Sequence, residues 1–311
     1  LQLKAFRFAY NAVAVFALLA AVAVYWLFYD NRLPADPAYR LDMAAIRAEA
    51  ARLPGPGPAR IEVAQIVKED LPHIAMEAGA DWDNITLVRA SYRLAWADGR
   101  SAIIDTAQDK ASAMSNARAH SYDSDAWSRM QAAMAKANLV LVTHEHPDHI
   151  GGLIASQGSA AISHAVLNPE QLRDRPGSAV PWPKGKRDGV TPLAYQGIRA
   201  VAPGVVLIRA PGHTPGSQMI YVRRADGREY LFMGDVASLL GNVENQKIRS
   251  RLVTDFMTHD DRDAVMGQVM ALHQLHEAWP GIVLVPGHDA AAIAALIKAG
   301  ALVPGFASAP A

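Results

Sequence analysis

The chain has 311 residues, no cysteine, and 30 basic against 30 acidic side chains. The missing cysteines exclude disulfides and thiolate ligands. The balanced charge, with Lys184–Arg187 as its densest basic cluster, excludes a nucleic-acid-binding surface built on net positive charge and reads as a solvated loop.

The first predicted element is a helix over Phe8–Tyr29, which carries no charged residue. At about 1.5 Å per residue it reaches ~33 Å, enough to cross a bilayer core. Tyr25, Trp26 and Tyr29 gather at one end, where aromatic rings favour the interface. A cleaved signal peptide normally shows small residues at the cut, and Trp26-Leu27-Phe28-Tyr29 is bulky. The reading is an uncleaved single-pass anchor in the inner membrane, covering 1–32. Lys4 and Arg7 precede the span; Arg32 and Arg40 follow it among Asp30, Asp36 and Asp42. That near-tie, tilted by the amino-terminal pair, places the remaining chain outside the cytoplasm. Pro34–Leu53 predicts a short amphipathic helix, ended by Pro54-Gly55-Pro56-Gly57-Pro58. Residues 33–60 are read as a stalk and linker, with a helix packed on the domain as the alternative. Residues 61–311 suit one domain with a sizeable core.

Within that domain Ser91–Leu94 and Ile103–Thr106 flank Asp98-Gly99, a β-hairpin pattern. Leu139–Val142 is a short apolar run that reads as a buried strand. It leads into Thr143-His144-Glu145-His146-Pro147-Asp148-His149-Ile150-Gly151-Gly152, three imidazoles and two carboxylates within six positions. In extended backbone His144 and His146 point the same way and close on one ion. Pro147 suits the first turn of a helix. Asp148 and His149 then suit a second ion, and Gly151-Gly152 lets backbone pass close by. Three later runs repeat the pattern of apolar strand, glycine and ligand-capable residue: Val205–Ile208 before His213, Tyr230–Met233 before Asp235, and Ile282–Val285 before His288.

From Ile61 to Lys298 this pattern resembles the metallo-β-lactamase-fold hydrolase superfamily. The resemblance implies an α/β fold of the αββα sandwich type, with the metal site at one edge of its two sheets. It implies His144, His146 and His213 as ligands of a first metal, Asp148, His149 and His288 as ligands of a second, and Asp235 as the bridge between them. Two zinc ions are expected, with iron or manganese as alternatives. Zinc-bound water ionises near pH 7, so a hydroxide held between the ions attacks a carbonyl, with Asp235 and Asp148 as the catalytic carboxylates and Asp148 relaying a proton. Asp235 stands where the family's β-lactamases typically carry Cys or Ser. Ser238 occupies a position at which its quorum-signal lactonases often carry Tyr. No glycine- and arginine-rich stretch of the glyoxalase II or persulfide dioxygenase kind follows Asp235.

The expectation is therefore a membrane-anchored dinuclear zinc hydrolase acting on a small-molecule ester, lactone, thioester or amide. The alternatives are an iron-dependent oxygenase on the same scaffold and a non-catalytic metal-binding or sensing module. His273 and His276 share a face of a helix predicted over Asp261–Ala278 but lack a third ligand, so they read as packing or solvated residues. His259 reads as a helix start or a residue at the pocket mouth. Trp182 and Tyr195 are candidate pocket residues. His73, His120 and His164 have no identifiable partner.

Overall fold

The computed structural model describes residues 2–34, 38–173 and 182–306. Asp36, part of the 34–53 segment, Pro181, beside Trp182, and the side chains of Lys4 and Phe8 lie outside the described residues.

Two sheets carry the domain. The first contains β1 (Arg60–Pro72), β2 (Asn84–Ala95), β3 (Ser101–Ile104), β4 (Ala119–Tyr122), β5 (Leu139–Leu141) and β6 (Ala165–Val166). The second contains β7 (Ile198–Ala202), β8 (Val205–Arg209), β9 (Gln218–Arg223), β10 (Glu229–Gly234) and β11 (Ile282–Pro286). β12 (Val303–Pro304) returns to the first sheet, whose order is β12-β1-β2-β3-β5-β6, with β4 also paired to β1; the second runs β11-β10-β9-β8-β7. The expected hairpin is β2–β3, antiparallel with Tyr92 opposite Ile104. Gly99, in its turn, has φ +89°, a conformation that favours glycine.

The strands are continuous apolar runs because both faces of each sheet are covered. In β8, Val205 and Leu207 join the core between the sheets, which also holds Val88, Tyr92, Leu94 and Ile104 from the first sheet and Phe232 from the second. Val206 and Ile208 point the other way, into a cluster with Leu272 and Leu275 of the helix Arg262–Ala278. The outer face of the first sheet is covered by the helices Ser124–Lys136 and Pro147–Ala155, through Met130, Met134, Ile150 and Leu153. These four layers form an αββα sandwich, as expected.

The segment read as a stalk is packed on the domain. Its helix is Met43–Ala50, and Met43, Ile46 and Ala50 are buried in the outer cluster of the second sheet. Arg47 donates two hydrogen bonds of 2.7 Å to the carboxylate of Glu229 on β10. Tyr39 donates its hydroxyl to Arg209 O at 2.9 Å. The apolar stripe that made this helix amphipathic is spent on the enzyme itself.

The first helix spans Gln2–Phe28. Its Tyr10–Phe28 portion is long and apolar enough to cross a membrane, and none of it is buried.

Candidate metal centre

The candidate ligands sit at strand ends that register side by side. β3 and β5 are parallel neighbours with Ile104 opposite Leu141, so Asp105 and the Thr143–His146 loop emerge together. β10 and β11 are parallel with Gly234 opposite Pro286, which brings Asp235 beside His288. The β8–β9 connection supplies His213. The helix Pro147–Ala155 starts with Pro147 in its first turn and carries Asp148 and His149. Two glycines permit this crowding. Gly234 has φ +52°, and a Cβ there would lie 2.7 Å from Thr143 Cβ. A Cβ on Gly152 would lie 2.1 Å from Thr106 O.

All seven sequence-predicted ligands converge. His144, His146 and His213 form one group, Asp148, His149 and His288 another, and Asp235 joins His144 and His149 in a third, with ligand atoms within 4.8 Å of one another in each. Nε2 of His213 lies 2.8 Å from Nδ1 of His146, which lies 3.1 Å from Nε2 of His144. Nε2 of His149 and Nε2 of His288 face each other at 3.2 Å.

That last contact tests whether the residues fit a metal. Nδ1 of His288 donates to Val88 O at 3.1 Å, and Nδ1 of His149 donates to Asp105 Oδ2 at 2.8 Å. Each neutral ring has one proton, and both are used. As neutral rings, both would therefore aim an Nε2 lone pair into one space, and either a proton on His288 or a bound cation relieves that clash. Asp235 Oδ1 is buried and receives no well-directed hydrogen bond, although His288 Nε2 is 2.9 Å away. A cation satisfies all of these atoms; imidazole nitrogen and carboxylate oxygen are the donors that zinc and similar ions accept.

Titration expresses the same demand for positive charge. Burial opposes a charge on His288, yet Asp235 and then Asp148 lift its pKa to about 9. Burial alone would raise the Asp235 carboxyl, but His288, Arg249 and His213 hold it well below the usual carboxylate range. Asp148 is lowered as well, because His149, Arg89 and His288 outweigh its burial. In the first group, burial and then His213 push His146 down to about 3, and burial with His149 pushes His144 well below its ordinary value.

Around the ligands stands a buried polar layer that the sequence did not point out. Asp105, held at φ +55°, accepts from Thr143 N at 2.7 Å, Thr143 Oγ1 at 2.8 Å and His149 Nδ1. Arg249 donates to Asp235 Oδ2 at 2.8 Å, to Asp235 O at 2.9 Å and to Asp260 Oδ2 at 2.9 Å. Asp260 Oδ1 faces His213 Nδ1 at 3.0 Å. Burial works against the Asp260 charge, but Arg249 and His213 bring its pKa down to about 2. Glu145 accepts from Thr214 Oγ1 at 2.7 Å and Gly216 N at 3.2 Å, which pins the His213 loop to the first ligand loop. Arg89 Nε lies 3.4 Å from Asp148 Oδ2, and its Nη2 donates to Glu69 at 2.9 Å. One signal for Asp105 was available: like Asp235, it is a carboxylate directly after a short apolar strand.

The weaker sequence candidates lie elsewhere. His259 is exposed, at φ +56°, with Nδ1 3.0 Å from Asp255 O; its neighbour Asp260 reaches the site instead. Asp261 caps the helix Arg262–Ala278 by accepting from Ala264 N. His273 Nδ1 faces Val243 O at 3.0 Å, and neither His273 nor His276 joins a metal-capable group among the described residues. Tyr195 donates to Gln218 Oε1 at 2.6 Å, and Trp182 packs on the core with Arg187 over its ring.

The model of the metallo-beta-lactamase superfamily matches residues 136–299, just over half of the chain. The chain belongs to that superfamily. It is a metal-dependent hydrolase of this fold, as the donor cluster and the family together establish. No curated protein matches the sequence. Among solved structures, it is similar to an N-acyl homoserine lactone hydrolase with N-hexanoyl-L-homoserine at its catalytic metal centre, with TM-score 0.60 and 15% identity over 77% of this chain and 96% of that one. A B. thuringiensis AiiA mutant with N-decanoyl-L-homoserine at its active site gives 0.59 and 15%, again over 77% and 96%. A probable metal-dependent hydrolase from Staphylococcus aureus gives 0.55 and 15%, over 76% and 91%. At these identities the likeness is one of fold.

Proposed function

We propose that the chain is a membrane-anchored dinuclear zinc hydrolase that cleaves a small ester, lactone, thioester or amide. The observation that carries this reading is the convergence of seven ligand-capable side chains, with the Nε2 atoms of His149 and His288 3.2 Å apart beside Asp235 Oδ1. His144, His146 and His213 would hold one ion, Asp148, His149 and His288 the other, and Asp235 both. Bound there, zinc supplies a water acidified toward neutral pH and a Lewis acid for the substrate carbonyl.

The chain's own residues do the rest. Asp105 fixes the His149 ring with Nε2 free, and Val88 O does the same for His288. Arg249 holds Asp235 from behind through Oδ2, leaving Oδ1 turned toward the histidines. Asp148, an ionised carboxylate with Arg89 Nε 3.4 Å from its Oδ2, would take up the proton released by the attacking water and pass it to the leaving atom. Lactones are a natural first class to test, given the acyl homoserine lactone hydrolases of this fold. Ser238, where family lactonases often carry tyrosine, is buried and within 3.3 Å of Arg249 Nη1.

An uncleaved anchor is supported by how the first helix ends. Phe28 O accepts from Gly79 N at 2.8 Å, and Asp30, 3% exposed, pairs with Arg251 at 2.6 Å. Cleavage downstream of Asp30 would take that partner away and leave Arg251 with Asp255 alone. The orientation proposed remains the one with the domain outside the cytoplasm.

The test is zinc stoichiometry and turnover of the full chain in detergent or nanodiscs, against an aryl ester, short- and long-chain lactones, a chromogenic β-lactam, a glutathione thioester and a phosphodiester. Two ions per chain and one hydrolysed class, lost in Asp235→Asn, are expected. Full turnover by Asp235→Asn would refute the bridged scheme.

A further inference from the structure

Among the described residues, four large apolar side chains of the domain are exposed at or near the base of the first helix, while Met114, Trp279 and Val303 are exposed elsewhere. Trp82 is 54% exposed, Phe256 57% and Met257 55%, with Leu252 also exposed. All but Trp82 belong to the helix Arg251–Phe256 and its cap. Leu252 and Phe256 are four apart, so they share one face of that helix. Val253 and Thr254 occupy the opposite, buried side. The helix thus presents an apolar face to solvent, while its buried face holds it on the domain.

These side chains are tied to the level at which the first helix ends. Phe256 meets Trp26 edge-on, with ring centroids 6.2 Å apart. Trp82 lies against Phe28 at 4.8 Å. Arg251 sits over the Trp26 ring at 5.1 Å, and Arg32, whose side chain is 82% exposed, follows immediately. Aromatic rings beside basic side chains at the end of an apolar helix match the chemistry of the membrane–water interface. The joint between helix and domain is also rigid. Asn31 donates to Gln246 O at 3.0 Å and accepts from Ile248 N at 3.1 Å, and Arg262 donates to Asp30 O at 3.0 Å.

We infer that Trp82, Leu252, Phe256 and Met257 form a lipid-contacting collar that seats the catalytic domain directly on the bilayer surface. This rests on the anchor reading. The hydrogen bonds at Phe28–Asn31 hold the domain against the end of the helix, and the collar continues the unburied apolar surface of that helix.

The absence of cysteine makes the test clean. Single variants Leu252→Cys, Met257→Cys, Val15→Cys and Asp98→Cys of the full chain are labelled with an environment-sensitive dye. They are reconstituted into phosphatidylcholine–phosphatidylglycerol vesicles with and without brominated acyl chains. Asp98 is the distant control: Trp82 precedes β2 and Asp98 follows it, so twelve strand residues, about 40 Å, separate them. The collar predicts quenching at 252 and 257 comparable to that at 15, and none at 98. Quenching at 15 alone overturns the collar and keeps the anchor. A blue shift at 252 and 257 without quenching means a protein, such as a second copy, covers them, and also overturns it. No quenching anywhere, position 15 included, removes the anchor reading and the collar with it.

Discussion

The most informative single substitution is Asp105→Asn. Asp105 stands behind the ligands and receives three hydrogen bonds, from Thr143 N, Thr143 Oγ1 and His149 Nδ1. A carboxylate accepts at both oxygens; an amide accepts at one and donates at the other. If the amide oxygen stays with Thr143 N, its NH2 group faces the His149 Nδ1–H. If the amide flips, the same NH2 group faces the Thr143 amide proton. Either orientation buries one donor against another, at a cost of about 1–3 kcal/mol. The escape is for His149 to move its proton to Nε2, which removes the lone pair aimed at the ion. Both routes lower zinc affinity by about 10- to 100-fold, the usual scale for losing such a support. Asparagine tolerates positive φ, so the +55° backbone at position 105 is kept and the fold is not the variable. The assay is zinc competition with a chromophoric chelator, beside thermal melts of the metal-free proteins. A folded Asp105→Asn that binds zinc within about twofold of the parent, against the expected loss, would refute this account of the site.

Three further outcomes follow from the geometry. Gly152→Ala drives a Cβ to 2.1 Å from Thr106 O, so the helix bearing Asp148 and His149 must shift; stability falls by about 1–3 kcal/mol or more and zinc affinity falls with it, whereas Gly281→Ala, with nothing within 4 Å, melts like the parent. Arg249→Met leaves Asp235 and Asp260 buried without their shared cation, costing about 3–5 kcal/mol in the metal-free protein, and zinc narrows that deficit because it restores positive charge beside Asp235; melts with and without zinc decide, and an unchanged gap contradicts the electrostatic role. Glu229 has its pKa lowered, first by the Arg47 hydrogen bonds, so its contribution is present above the ordinary carboxylate pKa of about 4.3 and vanishes as pH falls through its lower folded value; Glu229→Gln should therefore destabilise by about 1.5–3 kcal/mol at pH 7, and denaturant curves for the two proteins should converge only as pH falls through that lower folded value.

The cluster of candidate ligands was legible in the sequence for a physical reason. Short strands end at one edge of the sandwich, and the candidate ligands follow those ends within a few residues, so the pattern is local and repeated. What surrounds them was not legible, because it depends on long-range pairing. Arg249 and Asp235 are fourteen residues apart in an irregular stretch, and only the folded chain brings the guanidinium behind the carboxylate. The choice between His259 and Asp260 turns on a positive φ at His259, which no residue pattern announces. The amphipathic stripe of Met43, Ile46 and Ala50 was equally visible, but a stripe does not name its partner, and the partner here is the enzyme's second sheet.

One segment joins the site to the membrane-compatible helix. Ile248 N donates to Asn31, Arg249 donates to Asp235, Arg251 pairs with Asp30, and Asp260 meets His213. Successive residues of 248–262 thus alternate between holding the base of the first helix and holding the ligands of the site. A displacement of that helix would move Asp30 and pull on Arg251, two residues from the guanidinium that orients Asp235. Interiors are close-packed and transmit such strain. The candidate ligands are consequently coupled to Asp30 and Asn31, and a soluble fragment that begins beyond Asn31 would remove the partners of Arg251 and Ile248 that stand next to Arg249.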